Sequence, residues 1–316
     1  MTAPETARDV PLGGGRLVFA LGLLFGGGMI WGLTFSLAKL VTEAGAHPFG
    51  VSFLYGLIGA ILLLPYCVVR YRGIPLDREH LRFYTIAGAL GTALPTVVLF
   101  SSAAHMPAGV LALVTALVPL MSYVFALGLG VESYRVLRSL GIVLGLSAIL
   151  MIVVPETSLP GPAMVGWVLF ALIAPASYSG ENLFVALRRP ESSDSFVLLC
   201  GMQFAGAAML APLVWATGTW VSLAAPWTEV EWWIAALIVI NTSAYLMFIE
   251  LIRIAGPVFA AQTGYIVTVS GVLWGMAIFA EQHSGWVWGA LAVLFAGLAL
   301  VNPRPFRARP SGPGPT

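Results

Sequence analysis

The chain has 316 residues, 59% of them hydrophobic and only 9% charged, with a formal net charge of +1 and a mean hydropathy of +0.93. Too little polar surface remains for a water-soluble globule of that length, and a near-neutral balance offers no basic surface for nucleic acid. The sequence therefore reads as an all-α integral membrane protein. A helical span needs about 20 apolar residues, and ten can be drawn in chain order, at 17–41, 48–69, 82–103, 107–130, 137–154, 163–187, 195–217, 232–252, 256–280 and 284–302. They take up almost the whole chain. No gap between them is long enough for a folded soluble domain, so the function lies within or across the bilayer.

A short tail holding Arg8 and Arg16 precedes the first segment, whose apolar stretch is longer than the usual h-region and is followed by no clear cleavage pattern. It is read as a retained helix. Arg70, Arg72, Arg78 and Arg82 follow the second segment, Arg135 and Arg138 the fourth, Arg188 and Arg189 the sixth, Arg253 the eighth, and Arg304, Arg307 and Arg309 the tenth. The odd-numbered gaps carry no arginine. Basic residues near span ends stay in the cytoplasm, so both termini are expected there, in a bacterial cytoplasmic membrane. Lys39 is the one basic residue on the opposite side. Cys67 and Cys200 fall inside apolar segments, where thiols act as small hydrophobes, so neither a disulfide framework nor a metal site is expected. The Pro/Gly-rich end from residue 304 is expected to be disordered.

The chain repeats itself. PAGVLALVTALVPLMSYVFALGLGVES, from Pro107, matches GPVFAAQTGYIVTVSGVLWGMAIFAEQ, from Gly256, each closing on a glutamate, Glu132 or Glu281. In the following segments Gly141 falls opposite Gly289 and Pro155 opposite Pro303. This divides the chain into a tail (1–16), a first five-helix repeat (17–154), a linker (155–162), a second repeat (163–303) and a second tail (304–316). Five is odd, so the second repeat enters the membrane in the opposite sense, as the arginine pattern independently requires. Inverted repeats are an architecture of secondary transporters, with the substrate site near the midplane.

The residues resemble the EamA-type ten-helix members of the drug/metabolite transporter superfamily over essentially the whole membrane region. The resemblance rests on MIWGLTFSLAKL (Trp31, Gly32, Phe35, Lys39), on Pro48, on GALGTALPTVVLFSSAAHMPAGVLALVTALVPL leading to Glu132, and on GIVLGLSAILM. A weaker second copy ends at Glu281 and GALAVLFAGLALVN. One departure stands out: where the family often carries an arginine early in the second helix, this sequence reads Phe53, Leu54, Tyr55. The resemblance implies fold and reaction class, export or exchange of small metabolites, and leaves the substrate open.

Glu181 is the most informative side chain, because it lies within the sixth span two turns before Arg188. A carboxylate at mid-membrane costs roughly 2.5–3.5 kcal/mol on insertion scales, so such groups face a cavity or a partner. The expectation is a site that holds a proton or a substrate amine; pairing with a nearby arginine is the structural alternative. Lys39 is a second candidate, for an anionic or zwitterionic substrate, against a snorkelling anchor. Asn182, Asn241 and Gln262 are candidate pocket contacts, set against the ordinary role of intramembrane polar groups as interhelical bonds. Trp31, Tyr178, Tyr245 and Tyr265 lie at depths where they wall a cavity, Trp31 opposing Tyr178 when the first and sixth helices are aligned. Glu132 and Glu281 read as structural. No catalytic residue, metal ligand or cofactor motif is found.

The expected function is secondary active transport of a small metabolite, an amino acid or related zwitterion, outward and coupled to protons through Glu181. A facilitator or exchanger is the alternative, and a membrane scaffold or receptor the non-transport alternative. Small-molecule substrate and lipid are the expected partners, with oligomeric state left open.

Overall fold

The computed structural model describes residues 14–154, 163–190 and 193–301. Arg8, the expected linker and the expected disordered tail with Arg304, Arg307 and Arg309 lie outside the described residues. Among the latter all regular structure is helical: α1 Gly14–Glu43, α2 Pro48–Tyr71, α3 Arg78–Gly88, a π-helical turn Ala89–Ala93, α4 Leu94–Ala103, α5 Ala108–Thr115, α6 Val118–Gly128, α7 Val136–Val153, α8 Ala163–Ala171, α9 Ile173–Arg188, α10 Ser195–Thr217, α11 Glu229–Ala260, α12 Thr263–Phe279 and α13 Gly285–Val301.

The ten expected spans are these helices, three of them broken. The third is α3, the π turn and α4; the fourth is α5 with α6; the sixth is α8 with α9. Eight spans are long and apolar enough to cross a bilayer, and α12 and α13 are shorter apolar helices of 17 residues. The breaks have a common cause. Pro95, Pro119 and Pro175 each stand in the first turn of the helix that follows a break, where a missing N–H and a fixed φ are tolerated. Pro212 lies instead inside α10.

Several boundaries differ from expectation, the eighth span running from Glu229 rather than residue 232 and past residue 252, and two differences have a clear cause. The third span begins at Arg78 rather than residue 82, because Asp77 caps it, accepting from the N–H groups of Glu79 and His80 at 3.1 and 3.2 Å. Expected at 256–280, the ninth span forms its continuous helix only from Thr263. The preceding break is Gly256, at φ 82° and ψ 164°, a conformation that side chains disfavour.

Packing follows the inverted repeat. α2 lies against α10, the second span against the seventh, and α7 lies against α13, the fifth against the tenth. These two pairs join equivalent helices of the two repeats. Glycines allow the approach: a Cβ on Gly141 would stand 2.7 Å from the Gly297 carbonyl, and one on Gly56 would stand 3.2 Å from the Gln203 carbonyl. Cys67 and Cys200 are free and buried where α2 meets α10. α1 packs along α11 and α12, α12 also along α5, and α6 along α9. Among the described residues these helices thus form ten apolar spans arranged as two inverted five-helix repeats.

Candidate functional site

The π turn is where the site begins. In an α-helix the carbonyl of Gly91 would accept from the N–H of residue 95, but residue 95 is proline and has none. The turn widens instead, and such single π turns recur at functional sites. Ser177 on α9 donates to the carbonyl of Leu90 at 2.7 Å, tying the sixth span to this turn. One turn further on, the Glu181 carboxylate rests against Gly91. A Cβ there would stand 2.7 and 2.8 Å from its two oxygens, so glycine is what admits the carboxylate.

Glu181 is half-buried and makes no hydrogen bond or ion pair among the described residues. The arginine partner that was its structural alternative is absent. Tyr178 stands within electrostatic reach of Glu181 and of Tyr55, and Tyr245 within reach of Glu181. Trp31 meets Tyr245 edge to face at 6.3 Å and Phe248 at 5.6 Å, extending the wall onto α1. Asn241 lies one turn before Tyr245 on the same side of α11 and is half-buried. The structure therefore brings together Glu181, Tyr178, Tyr245 and Trp31 about the junction of the two repeats, with Asn241 one turn from Tyr245 on α11. Tyr55 joins them although the sequence singled it out only as the departure from the family's arginine.

The other candidates sit elsewhere. Asn182, about 100° around the helix from Glu181, is exposed, and so is Gln262. Tyr265 packs edge to face on Phe295 of α13 at 5.1 Å. Trp31 has no ring contact with Tyr178 among the described residues; its partners are on α11.

Lys39 belongs to a second cluster. Its Nζ lies 3.2 Å from Glu281, 3.9 Å from Glu43 and 4.5 Å over the Phe279 ring. The Glu281 carboxylate also accepts from the N–H of Ala108 at 2.7 Å and of Gly109 at 3.2 Å, and His283 Nε2 lies 3.4 Å away, an electrostatic contact rather than a directed hydrogen bond. Its partner is thus the first turn of α5, where a carboxylate meets the unpaired N–H groups and the positive helix end. Burial opposes the charge, yet His283, the two N–H donors and Lys39 together hold the carboxyl below its ordinary range. Glu132, the counterpart in the first repeat, pairs with Arg138 at 3.0 Å.

Comparison with known proteins agrees with this architecture. Residues 18–154 match the EamA-like transporter family. The uncharacterized inner membrane transporter YedA of Escherichia coli K12 is 27% identical over 293 residues, spanning 91% of this chain and 92% of its own. The proteins of that name from strains O6:H1 and O157:H7 align equally. A solved crystal structure superposes with a TM-score of 0.58 at 19% identity over 89% of this chain and 96% of its own, which shows the shared fold. Residues 18–154 thus match an EamA-like transporter domain, and the chain over nearly its whole length is similar to an inner membrane transporter.

Proposed function

We propose that the chain exports a small metabolite bearing an amino group, an amino acid or related zwitterion, in exchange for protons bound at Glu181. One observation carries this reading: a half-buried carboxylate with no cationic partner among the described residues, beside Tyr178, Tyr245 and Trp31 at the junction of two inverted repeats. A carboxylate flanked by aromatic faces suits an ammonium group, which gains both the ion pair and the cation–π attraction. Proton and amine then compete for the same two oxygens, which is the requirement for exchange. Asn241 supplies a neutral polar contact for the rest of the substrate. Lys39, already shared between Glu281 and Glu43, is assigned to the closed end of the molecule rather than to the substrate.

The arginine-bearing gaps are taken to face the cytoplasm, in a bacterial cytoplasmic membrane, with the two repeats rocking about the site. A proton crossing about 100 mV down a pH gradient of about one unit supplies about 2.3 and about 1.4 kcal/mol, enough for a substrate gradient of about several hundredfold.

The test is a thermal-shift screen of purified protein against amines, amino acids, nucleosides and sugars. A ligand at about 100 times its Kd stabilises by about 2.7 kcal/mol. Hits among amino compounds that vanish in Glu181→Gln support the site; hits confined to neutral or anionic compounds, unaffected by Glu181→Gln, contradict it.

A further inference from the structure

Two helix pairs in this molecule are related by the inverted repeat, α1 with α12 and α6 with α9, and they end differently. Each pair is pinned by a serine: Ser270 donates to the carbonyl of Gly28 at 3.1 Å, and Ser179 to that of Val118 at 2.9 Å. From that pin toward the Lys39 end, α1 and α12 stay in contact. The Phe35 ring reaches Gly271, the Lys39 amine lies over Phe279, and Lys39 closes the pair on Glu281. From the other pin toward the arginine-bearing end, α6 and α9 part. Between them lies a groove of about 530 Å³, lined on one side by Val124, Gly128 and Leu129 and on the other by Leu183, Leu187 and Arg188.

An offset of 149 residues carries Glu132 onto Glu281, and the offset of 147 that carries Trp31 onto Tyr178 leaves Arg188 two residues beyond the counterpart of Lys39, at the same end of its helix pair. In the closed pair Lys39 and Glu281 form an ion pair. In the open pair the corresponding end holds a glutamate and an arginine that do not touch: Glu132 is bound to Arg138, and Arg188 has no hydrogen bond or ion pair among the described residues.

We propose that Arg188 and Glu132 are the second gate of the transporter: closing the groove between α6 and α9 brings Arg188 onto Glu132, as Lys39 sits on Glu281. This rests on the transporter reading, and its physics is plain. An arginine at the mouth of an apolar groove loses water as the groove closes, and that loss is offset only if a carboxylate meets it. Glu132 is the residue that the repeat places there. Its present partner is on α7, which packs on α13 and stays with the scaffold, so the carboxylate exchanges one arginine for another as α6 swings. Because Lys39 and Arg188 lie at opposite membrane faces, each pair formed in turn seals one face while the other opens, which is what alternating access requires.

Distances between spin labels at Leu129→Cys and Leu187→Cys in lipid nanodiscs test the gate without knowledge of the substrate. The protein with native Glu132 and Arg188 is expected to show an open and a shorter, closed population. Glu132→Gln is expected to reduce the closed population about tenfold, because it leaves Arg188 unpaired in a closing groove, and Arg188→Gln to do likewise, because Glu132 then keeps Arg138 as its partner. Arg188→Lys, which recreates the Lys39 arrangement, restores it. Gly128→Leu provides an independent variant, because a side chain added at Gly128 meets nothing within 4 Å in the open groove and obstructs only its closure. It too is expected to abolish the short distance while the protein stays folded. A single open distance unmoved by all four substitutions, or a closed population that persists in Arg188→Gln and Glu132→Gln, overturns the gate. Neither result bears on amine binding at Glu181, whose own failure appears in the ligand screen.

Discussion

Glu281 and Glu132 close equivalent spans of the two repeats, yet they live in different surroundings. Glu281 is buried, with 7% of its side chain exposed, and holds together three spans through Lys39, Ala108 and Gly109. Glu132 has 26% of its side chain exposed and one partner, Arg138, a few residues away on the next helix. The same residue at the same place in the repeat therefore does two jobs. The difference lies in what the helix partners do: α12 packs against α1 and α5, while α6 leaves a groove against α9. Glycine marks the two ends in the same way. A Cβ on Gly275 would collide with the Glu281 carboxylate and stand 3.1 Å from the Gly109 nitrogen, whereas one on Gly128 meets nothing.

The largest effect is expected from Glu281→Gln. Removing this charge leaves Lys39 buried without its main partner and weakens the cap on α5, at a cost of about 3 kcal/mol measured by thermal or denaturant unfolding. Acid removes the same charge without a mutation. The folded carboxyl lies below its ordinary value of 4.5, so its stabilisation is present above that value and is lost as the pH falls through the lower, folded value. The stability difference between native protein and Glu281→Gln should therefore be constant from neutral pH down to the ordinary carboxyl range and vanish below it. Gly275→Ala should cost about 2 kcal/mol by overpacking the carboxylate site. Glu132→Gln should cost about 1 kcal/mol or less in the same assay, because its pair is partly solvated and local. Gly128→Ala should be neutral or stabilising by about 0.5 kcal/mol through helix propensity. Equal losses for Gly275→Ala and Gly128→Ala would erase the distinction between the two ends.

Much of the architecture was legible in the chain. Alternating arginine-bearing gaps and the duplicated segments ending in Glu132 and Glu281 require only charge counting and self-comparison. Glu181 stood out because an acid two turns inside an apolar span has few bland explanations. The helix breaks were half legible: Pro95, Pro119 and Pro175 fall within the expected spans, but a proline alone does not tell a bend from a π turn that opens Gly91 to a carboxylate. The partners of Glu281 were not legible, because Lys39 and the start of α5 lie 242 and 173 residues away along the chain and only packing brings them together. Tyr55 was hidden for another reason: a tyrosine in an apolar span has many uses, and nothing local ties it to Tyr178. Gln262 and Asn182 failed to reach the pocket because a polar residue in a span carries no signal of which way its helix is turned.

The central claim is that proton and amine share Glu181. Proton release on adding an amino compound identified by the screen, followed with a pH indicator in weakly buffered detergent solution, tests it most directly. About one proton released per ligand bound is expected in the native protein and none in Glu181→Gln. Binding without proton release in the native protein, or release that survives in Glu181→Gln, would contradict it.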